Sequence, residues 1–370
     1  MKHLKLAILG TRGIPACYGG FETFAEKLAV ELAALGVDVT VFCESGTFAS
    51  PAVFQGVKLR YISAPSLGPL QTILYDLRCL WQSRKGYEVV YMLGYGAAPF
   101  CLIPRLWHTQ VWINPDGIEW ARSKWGFVAK RYFHLMEWSS LRVANRIIAD
   151  AESIAAQLAL RHGKLAACSV IPYGCEVIDS FPSTEPLSEW CLMPGKYYLV
   201  VCRLEPENHV LKILRAFQQS RSKMELIVVG NHSIQTRYVA QLRGVQDSRI
   251  RLIGTVFDRA KLTSLRYYAH AYLHGHSVGG TNPSLLEAMG CGNLIFAHDN
   301  AFNRETLGSC GFYFQNTSQL TGIIDQLEDE GTDTARLRES AKSRARANYR
   351  WADIVSRYET LLRQTNDNSE

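Results

Sequence analysis

Short apolar runs of strand length alternate with segments of helical spacing along both halves of the chain. In the first half, residues 4–9 read as a strand. Residues 21–35 follow with Phe24, Leu28, Leu32 and Leu35 on one helical face, and residues 37–43 are the next strand. Further strands are predicted at 57–62, 89–92, 110–113, 146–149 and 169–171. The second half restarts at 197–202 and continues through 225–229, 250–253, 271–273 and 294–297, each followed by a helical pattern. Strands alternating with helices in this way build parallel sheets from βαβ units. The polar, proline-bearing stretch 180–186 separates the halves. The expectation is therefore an α/β protein of two doubly wound domains, 1–179 and 180–370, with a ligand cleft between them at the carboxyl ends of the strands. The last helical segment, 334–362, can end the second domain or cross back onto the first.

Composition narrows the class. At 370 residues, two cores are expected rather than one. The longest apolar stretch, 89–107, is broken by Gly94, Gly96, Pro99 and Pro104, which argues against a membrane span. The first ten residues have strand length and lack the features of a signal peptide. Ten cysteines occur without a C-x-x-C pair, as expected of free thiols in a reducing cytoplasm rather than a disulfide framework or a zinc site. A net charge of +6, divided as +4 and +2 between the halves, does not call for nucleic acid.

Chemistry concentrates in a few loops. The segment from His274 to Met289 reads as a strand end, a glycine-rich turn (Gly279, Gly280, Thr281, Asn282) and a helix opening near Pro283. Backbone amides at such a turn, with a helix N-terminus behind them, suit a phosphate. Glu287, early in the same helix, can accept hydrogen bonds from sugar hydroxyls beside it. A strand-to-helix turn whose glycines serve only geometry is the alternative. A second glycine-rich loop, Gly10-Thr11-Arg12-Gly13-Ile14-Pro15 and Tyr18-Gly19-Gly20-Phe21-Glu22-Thr23, opens the first helix without G-x-G-x-x-G spacing, which argues against a dinucleotide site.

Arg203 ends the first strand of the second half, ahead of Asn208 and a helix. There it can bind a diphosphate bidentately or join an ion pair. Asp116 and Glu119 fall at the end of the 110–113 strand, where Asp116 before glycine also suits a plain turn. Residues 119–146 interleave aromatic and basic side chains, which fits either a peripheral contact with an anionic membrane or a packed core with a solvated face.

Together these motifs resemble the retaining nucleotide-sugar glycosyltransferases of the two-Rossmann (GT-B) family 4. Within it they are similar to the rhamnosyltransferase-type subgroup, through the Gly10–Thr23 motif, Asp116-Gly117-Ile118-Glu119-Trp120-Ala121-Arg122-Ser123-Lys124-Trp125, the His274–Met289 segment and Val170-Ile171-Pro172-Tyr173-Gly174-Cys175-Glu176. The resemblance implies two Rossmann-like domains facing a central cleft, with the donor held mainly by the second. It implies that Glu287, matching the second glutamate of an E-x7-E motif, binds the nucleotide ribose. Gly280, Thr281 and Asn282 then meet the diphosphate or sugar, Arg203 binds the diphosphate, and Gly19 and Gly20 close over the phosphates. Asp116 corresponds to an acceptor-side polar residue.

Two positions depart from the family pattern. The first glutamate of E-x7-E is Gly279, and the lysine five residues after the arginine is Asn208. The resemblance implies that the subgroup shares both changes, with charge neutralisation supplied elsewhere, such as by Arg12 or a helix N-terminus. No D-x-D presents itself, so neither a metal nor a cofactor is expected. The expected reaction is transfer, with retention, of a sugar (L-rhamnose from a dTDP donor) to a glycan or lipid-linked acceptor at the cytoplasmic membrane face, in cell-surface glycan biosynthesis. Two alternatives stand beside it: a nucleotide-sugar epimerase of the same architecture, and a non-catalytic nucleotide-sugar-binding partner.

Overall fold

The computed structural model describes residues 4–16, 19–46, 51–64, 67–68, 70–115, 117–122, 125–163, 167–329 and 334–367. The chain forms two compact units, Met1–Ala121 with Trp125–Tyr173 and Trp351–Glu370, and Arg122–Lys124 with Gly174–Arg350.

The first unit runs β1 (Lys5–Leu9), α1 (Gly20–Ala34), β2 (Asp38–Glu44), β3 (Val53–Phe54), β4 (Val57–Ile62), α2 (Leu70–Gln82), β5 (Val89–Leu93), α3 (Leu102–Leu106), β6 (Gln110–Asn114), α4 (Phe127–Val143), β7 (Arg146–Ala149), α5 (Glu152–His162) and β8 (Cys168–Val170). Its strands lie in the order β3-β4-β2-β1-β5-β6-β7-β8, all parallel except the β3–β4 pair. β5 is buried along its whole length, as befits a strand covered on both faces. α1 buries Phe24, Leu28 and Leu32, which are spaced one turn apart.

The second unit runs β9 (Tyr197–Val201), α6 (Val210–Gln219), β10 (Glu225–Val229), α7 (Arg237–Arg243), β11 (Ile250–Gly254), α8 (Arg259–Tyr267), β12 (Ala271–His274), α9 (Pro283–Gly290), β13 (Ile295–His298), α10 (Ala301–Leu307), β14 (Phe312–Phe314), α11 (Thr317–Asp329) and α12 (Thr334–Asn348). Its order is β11-β10-β9-β12-β13-β14, wholly parallel. The sheet's core includes Tyr198, Val200, Leu226, Val228, Leu273 and Phe296, and α6 adds Val210, Ile213, Leu214 and Phe217 at spacings of three and four.

The helical pattern at 334–362 is interrupted. Cys175 donates its backbone N–H to the Tyr349 carbonyl and bridges Arg350, which closes the second unit. A new helix, α13 (Trp351–Asp367), then belongs to the first unit and packs on α1, where Tyr358 and Tyr91 share a buried hydroxyl–hydroxyl hydrogen bond of 2.9 Å. The stretch 180–186 lies inside the second unit, with Tyr268 donating to the Pro182 carbonyl at 2.6 Å. All nine described cysteines are free thiols. No helix among the described residues is long and apolar enough to cross a membrane.

Candidate functional site

In the second sheet, chain order reverses between β9 and β12. Loops leaving the carboxyl ends of neighbouring strands diverge at such a point, opening a crevice where doubly wound sheets take their ligands. Here the loop after β9 carries Arg203 and Asn208, and the loop after β12 carries Gly279, Gly280, Thr281 and Asn282.

The two loops are knit together. A Cβ on Gly275 would stand 2.2 Å from the Asn208 carbonyl oxygen, so only glycine lets the backbones approach this closely. Ser277 donates both its backbone N–H (3.0 Å) and its hydroxyl (2.9 Å) to the Glu207 carbonyl, and His209 Nδ1 lies 2.8 Å from the Gly275 carbonyl. Asn208 is buried, and its amide donates to the Arg203 carbonyl at 2.7 Å. It therefore braces the loop from within.

Arg203 is different. Its side chain is 58% exposed and its ion pair with Glu205 is long, at 3.7 Å. An exposed pair at that separation holds the guanidinium weakly, so an anion in the crevice can compete for it. On the other side, α9 begins with Asn282 as N-cap, its side chain accepting from the Ser284 N–H at 3.0 Å, and with Pro283 in the first helical position. Gly280 and Thr281, just ahead of the cap, are buried.

Glu287, one turn into α9, pairs with Arg266 of α8 at 2.5 Å. Arg266 is buried, whereas the Glu287 side chain stays about a third exposed, at 36%. The arginine also reaches Ser284 (3.4 Å), whose hydroxyl bonds Tyr272 (2.6 Å) and the Val201 carbonyl (2.9 Å). Thus the carboxylate is fixed from below and open on one side. Gly279 holds φ +121° with nothing within 4 Å of a built Cβ. Space would admit a side chain there, but this backbone conformation disfavours any L residue, which gives a local reason for glycine where the resembled motif has glutamate.

Four imidazoles and two arginines to which the sequence assigned no individual role also lie around these loops. His209 stacks on His298 at 4.3 Å, and His274 on His276 at 4.4 Å. Burial lowers the pKa of all four. His276 is pushed down to about 3, with Arg203 and Arg122 adding to the effect, and His298 to about 4, with His209 and Lys212 adding. At neutral pH they are uncharged hydrogen-bonding groups. Arg122, the second arginine besides Arg266, is buried with Nη1 3.8 Å from both Glu205 and Glu207. The signal for His274, His276 and His298 was their place at carboxyl ends of strands. Arg266 sits on a helix that gave no such signal, and Arg122 stood out only as one member of the Asp116–Trp125 motif.

In the first unit, Gly19 is the N-cap of α1 and Gly20 its first residue. Glu22 in the first turn is buried and accepts from the Arg12 N–H (3.1 Å) and the Thr11 hydroxyl (3.3 Å), tying the glycine-rich loop to the helix. Arg12 pairs with Glu44. Asp116, Tyr18, Ser123 and Lys124 lie outside the described residues.

Within 119–146, Trp120 stacks on His134 and donates to Glu137 at 3.0 Å, and Trp125 donates to Glu119 at 2.9 Å. Glu137 is fully buried. Burial would raise its pKa, but hydrogen bonds from His162, Arg161 and Trp120 outweigh that and hold it below the usual value. Among the described residues no group of three or more His, Cys, Asp or Glu side chains is arranged to hold a metal ion.

Residues 1–176 match the family model described as a domain of unknown function, DUF1972, and residues 193–345 match glycosyl transferases group 1. A search of curated proteins found no significant match. Solved structures are similar across nearly the whole chain. Sucrose-phosphate synthase from Thermosynechococcus elongatus superposes with a TM-score of 0.85 at 16% identity, over 99% of this chain and 100% of that one. Anabaena Alr3699/HepE in complex with UDP and glucose gives 0.77 at 17% identity over 98% and 100%. A glycosyltransferase from Rickettsia africae gives 0.75 at 15% identity over 100% of both. At these identities the likeness establishes the fold: two parallel-sheet α/β domains of the GT-B type.

Proposed function

From a glycosyl transferases group 1 domain on a GT-B fold, we propose a retaining transferase that takes its sugar from a nucleotide diphosphate donor. In this reading the second unit is the donor domain, and the first is the acceptor side and also carries the donor-binding Gly19 and Gly20. Arg203 and the amides of Gly280, Thr281 and Asn282 grip the diphosphate, Glu287 holds the ribose, and Asn208 keeps the arginine's loop in shape. Asp116 orients the acceptor. The carrying observation is the reversal of strand order between β9 and β12, with a loosely paired arginine in the loop after one strand and a capped helix N-terminus with a braced carboxylate after the other. Anabaena HepE, of the same fold, was solved with UDP and with UDP-glucose, which supports a nucleoside diphosphate donor here.

The bond from the anomeric carbon to the β-phosphate oxygen breaks, and a bond to the acceptor oxygen forms on the same face. The acceptor's proton leaves with the phosphate, so no protein base is required. The residues' task is to stabilise negative charge developing on the diphosphate. The transferred sugar is a hexose, with L-rhamnose from a dTDP donor the favoured case, and the acceptor is a lipid-linked oligosaccharide or polysaccharide at the cytoplasmic face of the membrane.

A thermal-shift panel of nucleotide-sugars, followed by turnover of Arg203→Ala, tests the reading. A donor at a hundred times its dissociation constant should add about 2.7 kcal/mol of stability. Release of nucleoside diphosphate should require acceptor and fall at least about tenfold in the variant. Turnover of Arg203→Ala within a few-fold of wild type removes the diphosphate role. A new nucleotide-sugar formed without acceptor replaces transfer with epimerisation.

A further inference from the structure

Helices α2, α3 and α4 connect strands that step in one direction across the first sheet, from β4 through β5 and β6 to β7. Right-handed crossovers place such helices on one face of the sheet. Their outer surface is unusual in two respects.

It is apolar where it should be wet. Of seventeen large hydrophobic side chains exposed among the described residues, nine lie on these helices or the residue after α3, including Trp81, Leu106, Trp107, Phe127, Val128 and Trp138. A cluster this dense marks a contact surface. Its charge is also one-sided. The acidic residues of α2, α3 and α4 are Asp76 and Glu137, and both are buried. The other charges of these helices are positive, and three basic side chains, Arg142 of α4 with Arg84 and Lys85 just after α2, sit on the tryptophans. Arg84 lies over Trp81 at 4.3 Å and Trp107 at 5.7 Å, Lys85 lies 5.7 Å from Trp107, and Arg142 is 3.7 Å from Trp138. Trp81 and Trp107 meet edge to face at 6.2 Å, and Arg105 ties α3 to the last turn of α4 by donating to the Val143 carbonyl at 2.8 Å. The C-terminal ends of the three helices thus form one patch, with Phe127 and Val128 at the opposite end of α4.

We propose that this patch seats the first unit on an anionic lipid surface. Indole rings with guanidinium groups beside them suit the headgroup layer, where rings enter the interface and cations stay wet at the phosphates. On α2, α3 and α4 no outward carboxylate meets a negative bilayer, and Glu88, beyond Lys85, accepts from the Lys5 backbone N–H. The surface is also broader than the 119–146 segment: Trp120, Trp125 and Phe133 are committed to internal contacts, and the lipid-facing groups come equally from α2 and α3.

The test is co-sedimentation with vesicles of phosphatidylcholine alone or mixed with phosphatidylglycerol, without donor or acceptor, so the outcome is independent of the transferase reading. Wild type should bind the anionic vesicles, and high salt should release it. Arg84→Glu with Lys85→Glu should lower partitioning by at least about tenfold. Trp107→Ser with Trp138→Ser should lower it and reduce quenching by brominated lipid. Circular dichroism melting checks that the variants remain folded. Equal binding to both vesicle types, variants within about twofold of wild type, or a patch-dependent dimer without vesicle binding would each overturn the proposal.

Discussion

Arg266 and Glu287 form an ion pair of 2.5 Å in which the cation is buried and the carboxylate is about a third exposed. The asymmetry separates two roles. Truncating Arg266 leaves Glu287 able to turn to water, but it removes the group that fixes it. Truncating Glu287 strands a buried cation.

Arg266→Met is therefore expected to cost about 1–3 kcal/mol, below the range for a fully buried pair because the carboxylate can rehydrate. Glu287→Gln keeps an acceptor for the arginine and should cost about 1 kcal/mol. On the proposed ribose role, Glu287→Gln raises the donor KM about tenfold with a smaller change in kcat. Denaturant unfolding and initial rates measure both. A Glu287→Gln enzyme with wild-type donor KM removes the ribose contact.

Gly275 and Gly279 occupy one loop but are constrained differently. A methyl on Gly275 meets a backbone oxygen at 2.2 Å, whereas one on Gly279 meets nothing and suffers only from φ +121°. Gly275→Ala should cost about 3 kcal/mol or more and abolish activity, because the platform must open. Gly279→Ala should cost about 1–2 kcal/mol. A Gly275→Ala variant that melts at or above the temperature of Gly279→Ala would refute the close-approach argument.

Much of this architecture was legible in the chain because buried parallel strands are continuous apolar runs. Val89–Leu93 and the apolar stretches of Arg146–Ala149 and Glu225–Val229 end where polar or turn residues interrupt them, whereas Val57–Ile62 shows as an alternation. β3 and β14, two and three residues long, are too short to show a period. The break between α12 and α13 is set by Cys175 pairing with Tyr349 and Arg350, a tertiary event that leaves no mark on helical spacing. Arg203 and Glu287 stand out by position, at a strand end and a helix start. Arg266 reads as an ordinary charge on an amphipathic helix until the fold turns it inward, and Arg122 is brought beside Glu205 and Glu207 only by tertiary packing.

The histidines give the second unit an acid-sensitive signature. Burial holds His276 at about 3 and His298 at about 4, against about 6.5 when unfolded. Between those values the unfolded chain binds more protons, so stability is intact above pH 7 and falls as pH drops from about 6.5 towards 4. His298→Gln should flatten this slope by an amount on the order of 1 kcal/mol at pH 5, allowing for partial exposure. Urea unfolding at several pH values reads it directly. An unchanged slope would mean that the ring is already protonated in the fold.

Asp76 has the opposite sign. Burial raises its pKa to about 7, and Arg12 offsets only part of that. A raised carboxyl favours the fold at acid pH, and its contribution is lost as pH climbs through 7. Asp76→Asn should melt like wild type near pH 4 and higher than wild type at pH 8. A variant destabilised equally at both would show that the carboxylate is held ionised by a partner.

Arg122 is a candidate for the charge that a lysine at position 208 would supply. It is buried beside Glu205 and Glu207 of the Arg203 loop, and both Arg122 and Arg203 depress the pKa of His276, so the two guanidinium groups share one neighbourhood. If Arg122 shares the β-phosphate charge, Arg122→Ala should weaken binding of a nucleoside diphosphate at least about tenfold and leave the monophosphate nearly unchanged. A purely structural arginine would, on removal, weaken both alike, because the loop would loosen for every ligand. Isothermal titration with the paired nucleotides separates these outcomes. Arg122→Lys should recover part of the diphosphate affinity through charge alone, without the planar two-donor geometry.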